Sequence, residues 1–190
     1  MGSDGTPAPT LTGRLLVAGP SLFDPNFLRT VVLICRHDSD GALGLILNRR
    51  TDIAVGDHLP GWTEALAPPA VVFVGGPVEP QVAIGLGLRK YRTEPPGWTA
   101  VADSLGLVDL SEAPGLVTGH LERLRVFSGY AGWSAGQLDF EASSGDWLII
   151  EPEATDAFRE DPDDLWRGVL RRQQGELRLY ADYPLDPSAN

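Results

Sequence analysis

The sequence predicts a single domain of the α+β class, and three observations carry that prediction. Two runs rich in β-branched and aliphatic residues, residues 29–36 (RTVVLICR) and 42–48 (ALGLILN), flank the turn HDSDG and read as a hairpin. Residues 161–173 (DPDDLWRGVLRRQ) read as a well-marked helix. Between these, strand and short-helix patterns mix without regular alternation, which argues for α+β and against a doubly wound sheet.

The elements follow in chain order. Residues 1–11 are polar and proline-containing and are expected to form a disordered tail, leaving residues 12–190 as the domain. Residues 13–18 (GRLLVA) form a short apolar strand. The segment GPSLFDPNFLR breaks regularity with two prolines and reads as a loop. The hairpin comes next, with Gly41 able to adopt positive φ in its turn. Residues 53–67 are ambiguous and accommodate one or two short helices. Residues 70–74 (AVVFV) form a strand ending in Gly75-Gly76-Pro77, and residues 82–88 another. Further strands are expected at 105–110 and 124–127, with a short helix at 111–118 capped by Ser111. Ser134 and Gln137 have capping-box spacing and begin a helix. Residues 147–150 form a compact strand. The helix after Asp161 has Pro162 in its first turn and Asp163 and Asp164 at its positive end. Leu165, Trp166, Val169 and Leu170 form its buried stripe. A last strand is expected at 177–180.

A chain of 190 residues with 43% hydrophobic residues can bury a core as one domain. No apolar run approaches the ~18 residues that span a bilayer. The N-terminal residues show no basic region followed by an apolar one, so a signal peptide is not expected. The single cysteine, Cys35, excludes an internal disulfide. The reading is a soluble cytoplasmic protein. Its net charge is −11, and residues 139–164 hold ten acids against one base, Arg159. Such a field repels nucleic acid, whose binders present a basic face. The acidic stretch reads as a solvated helical face.

Candidate chemistry is sparse. Cys35 and His37 share one strand face, but side chains two apart are about 7 Å apart, too far for a direct proton relay. A buried cysteine in such a strand is ordinarily a small hydrophobe. His37, Asp38, Asp40, His58 and His120 match no common metal-ligand spacing. No nucleophile elbow, zincin helix or phosphate-binding Walker loop is present. The best binding candidate is SGYAGWSAGQ. Its glycines could form a bend that leads into a helix N-terminus and accepts an anion, with Tyr130 and Trp133 stacking on a planar ligand. The same residues also suit close packing with both aromatics in the core. Asn48, Arg49 and Arg50 with Arg29 form a basic grouping that suits an anion or a simple charge cluster at a strand end.

Three stretches, GRLLVAGPSLFDPNFLRTVVLICRHDSDGALGLILNRR, FVGGPVEP and RVFSGYAGWSAGQLDFEASSGDWLII, resemble the YqgE/AlgH family of small bacterial proteins, as does DLWRGVLRRQ near the C-terminus. The resemblance covers residues 12–185. It implies a bent, mostly antiparallel sheet closing towards a pseudo-barrel and flanked by helices. It implies no established activity and no catalytic residues. A transcriptional-regulator label attached to some members finds no helix-turn-helix pattern here to support it. The family's signature positions place Arg29, His37, Asn48, Gly75, Gly76, Tyr130, Trp133 and Gln137 as candidate ligand-binding residues. One departure is Arg50, where the family usually has proline, which would loosen the strand exit.

The leading expectation is a non-enzymatic protein that binds a protein partner or a small ligand, with no cofactor, no metal and neither nucleic acid nor membrane as partner. The alternatives are a transcriptional regulator, and an enzyme using His37, Arg29 and Asn48, which requires those three side chains to converge.

Overall fold

The computed structural model describes residues 10–183. The expected tail lies outside the described residues as far as residue 9. Its last two members, Thr10 and Leu11, are tied to the hairpin through hydrogen bonds to His37.

The strands are β1 (Leu15–Ala18), β2 (Val31–Asp38), β3 (Gly41–Ile46), β4 (Arg50–Ala54), β5 (Val71–Val74), β6 (Val78–Arg89), β7 (Trp98–Ala102), β8 (Leu105–Val108), β9 (Leu121–Ser134) and β10 (Trp147–Ile150). The helices are α1 (Pro114–Val117), α2 (Gln137–Ser144), α3 (Leu165–Arg171) and α4 (Glu176–Tyr180), with short 3₁₀ turns at Val55–Asp57 and Pro60–Ala65. The strands pair in the order β10-β1-β2-β3-β9-β6-β8-β7, and β5 joins β9 in parallel and carries β4. All the other pairings are antiparallel. The α+β class and the large antiparallel sheet therefore stand. The hydrogen-bonded path ends at β10 and β7 without joining them, so the sheet is open and not a closed barrel. It curls far enough that Gly13, just before β1, packs against Ala102 of β7.

The long strand β9 departs most from expectation: residues 124–127 were the expected strand, and 14 residues form it. Glycines weaken a strand's local signal, but here β6, as far as Tyr130, and β3, over Ala131–Ser134, hold SGYAGWS in the sheet with one bend at Gly129. The same pairing lengthens β6 beyond residues 82–88. Strands β4 and β7 lack a clear sequence pattern and exist because β5 and β8 offer them an edge. Residues 177–180 lie in helix α4 and not in a strand, because the segment packs on α3 with no sheet edge to join. The helix expected at 111–118 reduces to α1, which begins at Pro114, while Ser111 hydrogen-bonds Asp109 in the preceding turn. Helix α3 begins at Leu165 with Asp164 before it, and Asp161 and Pro162 belong to the turn leading in.

Both faces of the β1-β2-β3 region are buried, which explains its continuous apolar runs. Leu15, Val17, Val31, Leu33 and Cys35 face Leu165, Trp166, Val169 and Leu170 of α3. Leu16, Ala18, Val32 and Ile34 face the opposite way, towards Trp133, Leu138 and Trp147. The Trp166 indole donates to the Ala18 carbonyl at 2.9 Å and fixes α3 on β1. Cys35 is 4% exposed, and burial pushes its thiol up to about 12. Arg125 of β9 is 2% exposed; its guanidinium lies 4.3 Å from the Phe73 ring centroid and donates to the carbonyls of Pro68, Ala157 and Arg159. It thereby sews the 157–159 segment to the sheet. Burial, assisted by Arg123, lowers its pKa to about 10.

Two glycine segments cross where β5 ends and β9 bends. Gly75 N–H donates to the Ser128 carbonyl and Gly75 C=O accepts from Ile46 N–H, both at 2.9 Å. Gly129 has φ 68°, and a methyl group there would lie 2.7 Å from the Gly76 carbonyl oxygen and 2.8 Å from that of Val78. Methyl groups at Gly75 and Gly76 would collide with the backbone of Gly129 and Tyr130. Backbone thus packs on backbone with no room for a Cβ.

Three outcomes follow for the purified protein. Gly75→Ala lowers unfolding free energy in denaturant titration by at least about 3 kcal/mol, whereas Gly119→Ala, which meets open space, stays within about 1 kcal/mol; equal effects would contradict the crossing as a constraint. Arg125→Lys, whose ammonium cannot reach three carbonyls at once, loses about 1–3 kcal/mol and opens the 152–160 loop to proteolysis. Cys35 reacts with a thiol reagent at pH 8 only after denaturant is added; a reactive native thiol would overturn its placement.

Candidate functional site

The loop between β1 and β2 begins the site. Asp24 opens a turn: its side chain accepts from Asn26 N–H at 2.8 Å, and its carbonyl accepts from Phe27 N–H and Leu28 N–H. This turn aims Phe27 inward, stacked on Trp133 at 6.3 Å and edge-on to Trp147 at 5.4 Å. Trp133 and Trp147 meet each other edge to face at 6.1 Å.

Opposite the rings lies α2. Gly136, at φ 72°, turns the chain into this helix, and Gly145, at φ 84°, ends it. Leu138 anchors it in the core. The Gln137 side-chain oxygen accepts from Ser134 N–H at 3.0 Å, so half of the expected capping box is present. One turn later Glu141 receives three hydrogen bonds. Trp133 Nε1 and Trp147 Nε1 donate to its Oε2 at 2.8 and 3.0 Å, and Gln137 Nε2 donates to Oε1 at 2.9 Å. The result is a cleft of about 210 Å³ lined by Leu22, Asp24, Phe27, Gly132, Trp133, Gln137, Glu141, Asp146 and Trp147.

The eight candidate residues divide among four places. Trp133 and Gln137 line the cleft. His37 lies beside α2 at the far end of β2: its Nδ1 accepts from Leu11 N–H at 3.1 Å, which leaves the proton on Nε2, 3.6 Å from Asp139. Tyr130, Gly75 and Gly76 belong to the backbone crossing, with the Tyr130 hydroxyl donating to Glu79 at 3.0 Å. Arg29 and Asn48 form a group at the near end of β2. Asn48 donates to the Arg29 carbonyl at 2.8 Å and accepts from Val31 N–H at 2.9 Å. This clamp holds Arg29 at φ 54°, a conformation unfavourable for a residue with a side chain. The Arg29 guanidinium lies 4.8 Å from the Trp166 ring centroid and donates to the Tyr183 carbonyl; burial and the charge of Arg167 lower its pKa. Asn48 and the two glycines thus serve the fold.

The length of β2, at roughly 3.3 Å per residue, separates His37 from Arg29 and Asn48. The convergence required for the enzymatic reading is absent. Arg50 opens β4 and pairs with Asp163 on the surface, binding that strand exit to the turn before α3. The segment SGYAGWS belongs to β9, bent at Gly129, the turn into α2 comes after it at Gly136, and the cleft beside it carries carboxylates, which repel an anion. Among the described residues, no three His, Cys, Asp or Glu side chains gather as metal ligands. Two other hollows, of about 340 and 310 Å³, meet at Leu88 and Ala154 and contain none of the eight residues.

Sequence reasoning missed Glu141 and Asp146 as site residues, treating the acidic stretch as solvated surface; both are half-buried. The available signal was the i, i+4 spacing of Gln137 and Glu141 together with two tryptophans needing acceptors for their indole N–H groups.

The AlgH-like family model matches residues 15–178. A UPF0301 protein of Streptomyces coelicolor, SCO2948, is 48% identical over 189 residues, covering 97% of this chain and 98% of its own. A UPF0301 protein of Thermobifida fusca is 45% identical over 190 residues, covering 95% of this chain and 96% of its own. The crystal structure of DIP2367 from Corynebacterium diphtheriae superposes with a TM-score of 0.86 at 31% identity, over 93% of this chain and 94% of that one. The solution structure of AlgH from Pseudomonas aeruginosa superposes with a TM-score of 0.67 at 26% identity, over 97% and 98%. With a family model spanning most of its length and relatives this similar over nearly all of theirs, the chain belongs to the AlgH-like family.

Proposed function

We propose that this protein acts in the cytoplasm by binding, without turnover, and that the Phe27–Trp133–Trp147–Glu141 cleft is where it binds. The observation that supports this is the fixed carboxylate of Glu141, held by two indoles and an amide at the edge of an open cleft. Three donors aimed at one side chain orient it before any partner arrives, which lowers the cost of binding. The curled sheet, a pseudo-barrel left open between β10 and β7, serves as the rigid frame. A catalytic role draws no support, because His37 lies apart from Arg29 and Asn48. A DNA-reading role draws none either. Helices among the described residues run from four to eight residues, and α2, the longest, carries Asp139 and Glu141 and no base. No helix of the described residues is long and apolar enough to cross a membrane.

A thermal-shift screen of the whole chain against metabolites and blocked peptides tests the proposal. A ligand at about a hundred times its Kd stabilises by roughly 2.7 kcal/mol, a rise of about 5–10 °C for a domain of this size. The rise should disappear in Gln137→Ala. Turnover of any substrate that is lost on replacing His37 would overturn the binding-only reading.

A further inference from the structure

We infer that the cleft takes an organic cation, an ammonium or guanidinium group on a short apolar stem. The inference rests on the reading of the cleft as a binding site and concerns what occupies it.

The chemistry of the lining is one-sided. Its charged groups are Asp24, Glu141 and Asp146, and no basic side chain lines it. Among the described residues, none of the three carboxylates forms an ion pair. Arg49, the base that feels the charge of Asp24, donates instead to the Pro25 carbonyl at 2.8 Å. Each side-chain donor group of the lining, the two indoles and the Gln137 amide, is already engaged with Glu141. Apart from the second N–H of the Gln137 amide, the side-chain groups left to meet a ligand are carboxylate oxygens, which only accept hydrogen bonds. Phe27, Trp133 and Trp147 supply apolar wall for a stem. A ligand rich in donors, positively charged and partly apolar completes this surface, whereas an anion would meet three like charges. At about 210 Å³ the cleft is below the usual range of roughly 300–1,000 Å³ for drug-sized ligands. It suits a free small amine or the tip of one basic side chain.

The test follows the indole N–H signals of Trp133 and Trp147 by NMR in the ¹⁵N-labelled full chain, titrated with butylammonium and agmatine, with pentanol and pentanoate as neutral and anionic counterparts, and with a blocked tetrapeptide carrying one arginine. The expected result is saturable movement of both signals with the cations, and binding at least about tenfold weaker for pentanol and pentanoate. Asp146→Asn, whose native side chain accepts no hydrogen bond from the described residues, should fold normally and weaken cation binding by about tenfold. Glu141→Gln keeps an acceptor for both indoles and should do the same. Response to the arginine peptide alone would keep the cation and identify a partner's side chain as its source. Pentanol or pentanoate binding as tightly as butylammonium would overturn the cation while leaving the cleft a binding site. Indole signals that no probe moves would overturn both.

Discussion

The structure depends on one close crossing of backbones. Where β5 gives way to Gly75 and Gly76, the chain lies directly against Gly129 and Tyr130 of β9, too near for any Cβ on the glycines. That contact lets β9 change neighbours along one edge, from β5 at Val126–Ser128 to β3 at Ala131–Ser134, while β6 holds the other. Without it, the two halves of the sheet would not share a strand. The glycines that look in sequence like a phosphate cradle or a flexible bend are there to let two main chains touch.

From the crossing outward, β9 delivers Trp133 to the face opposite α3. The turn at Asp24 and the short strand β10 bring Phe27 and Trp147 to the same place. Two indole N–H groups arriving together in a buried region require an acceptor, since an unsatisfied donor there is costly. Glu141 answers that requirement and is in turn held still. A group that completes the hydrogen bonding of the core is therefore also the polar feature of the cleft. On the proposed reading, structural and recognition roles coincide in one carboxylate.

Much of this was legible in the chain. The hairpin of β2 and β3, the strands at 71–74 and 147–150, and the buried stripe of α3 follow from patterns that their own residues carry. The length of β9 was not legible, because glycine lowers local strand preference and only its partners on both edges make it extended. Nor were β4 and β7, which borrow their order from neighbours. Of the candidate residues, Trp133 and Gln137 came together at the cleft, and Asn48 clamps Arg29, whereas the length of β2 keeps His37 apart from that pair.

The sequence by itself determined the family, the α+β class, the acidic charge and the absence of familiar catalytic motifs, because these rest on residue types and their spacing. Only the tertiary structure decided that the glycine segments touch each other, that Asn48 clamps a left-handed arginine, and that Glu141 lies beneath two tryptophans. Those facts join residues from 6 to 54 positions apart. No local pattern encodes such contacts; they arise when the folded sheet brings separate backbone donors, acceptors and rings within hydrogen-bonding and packing distance.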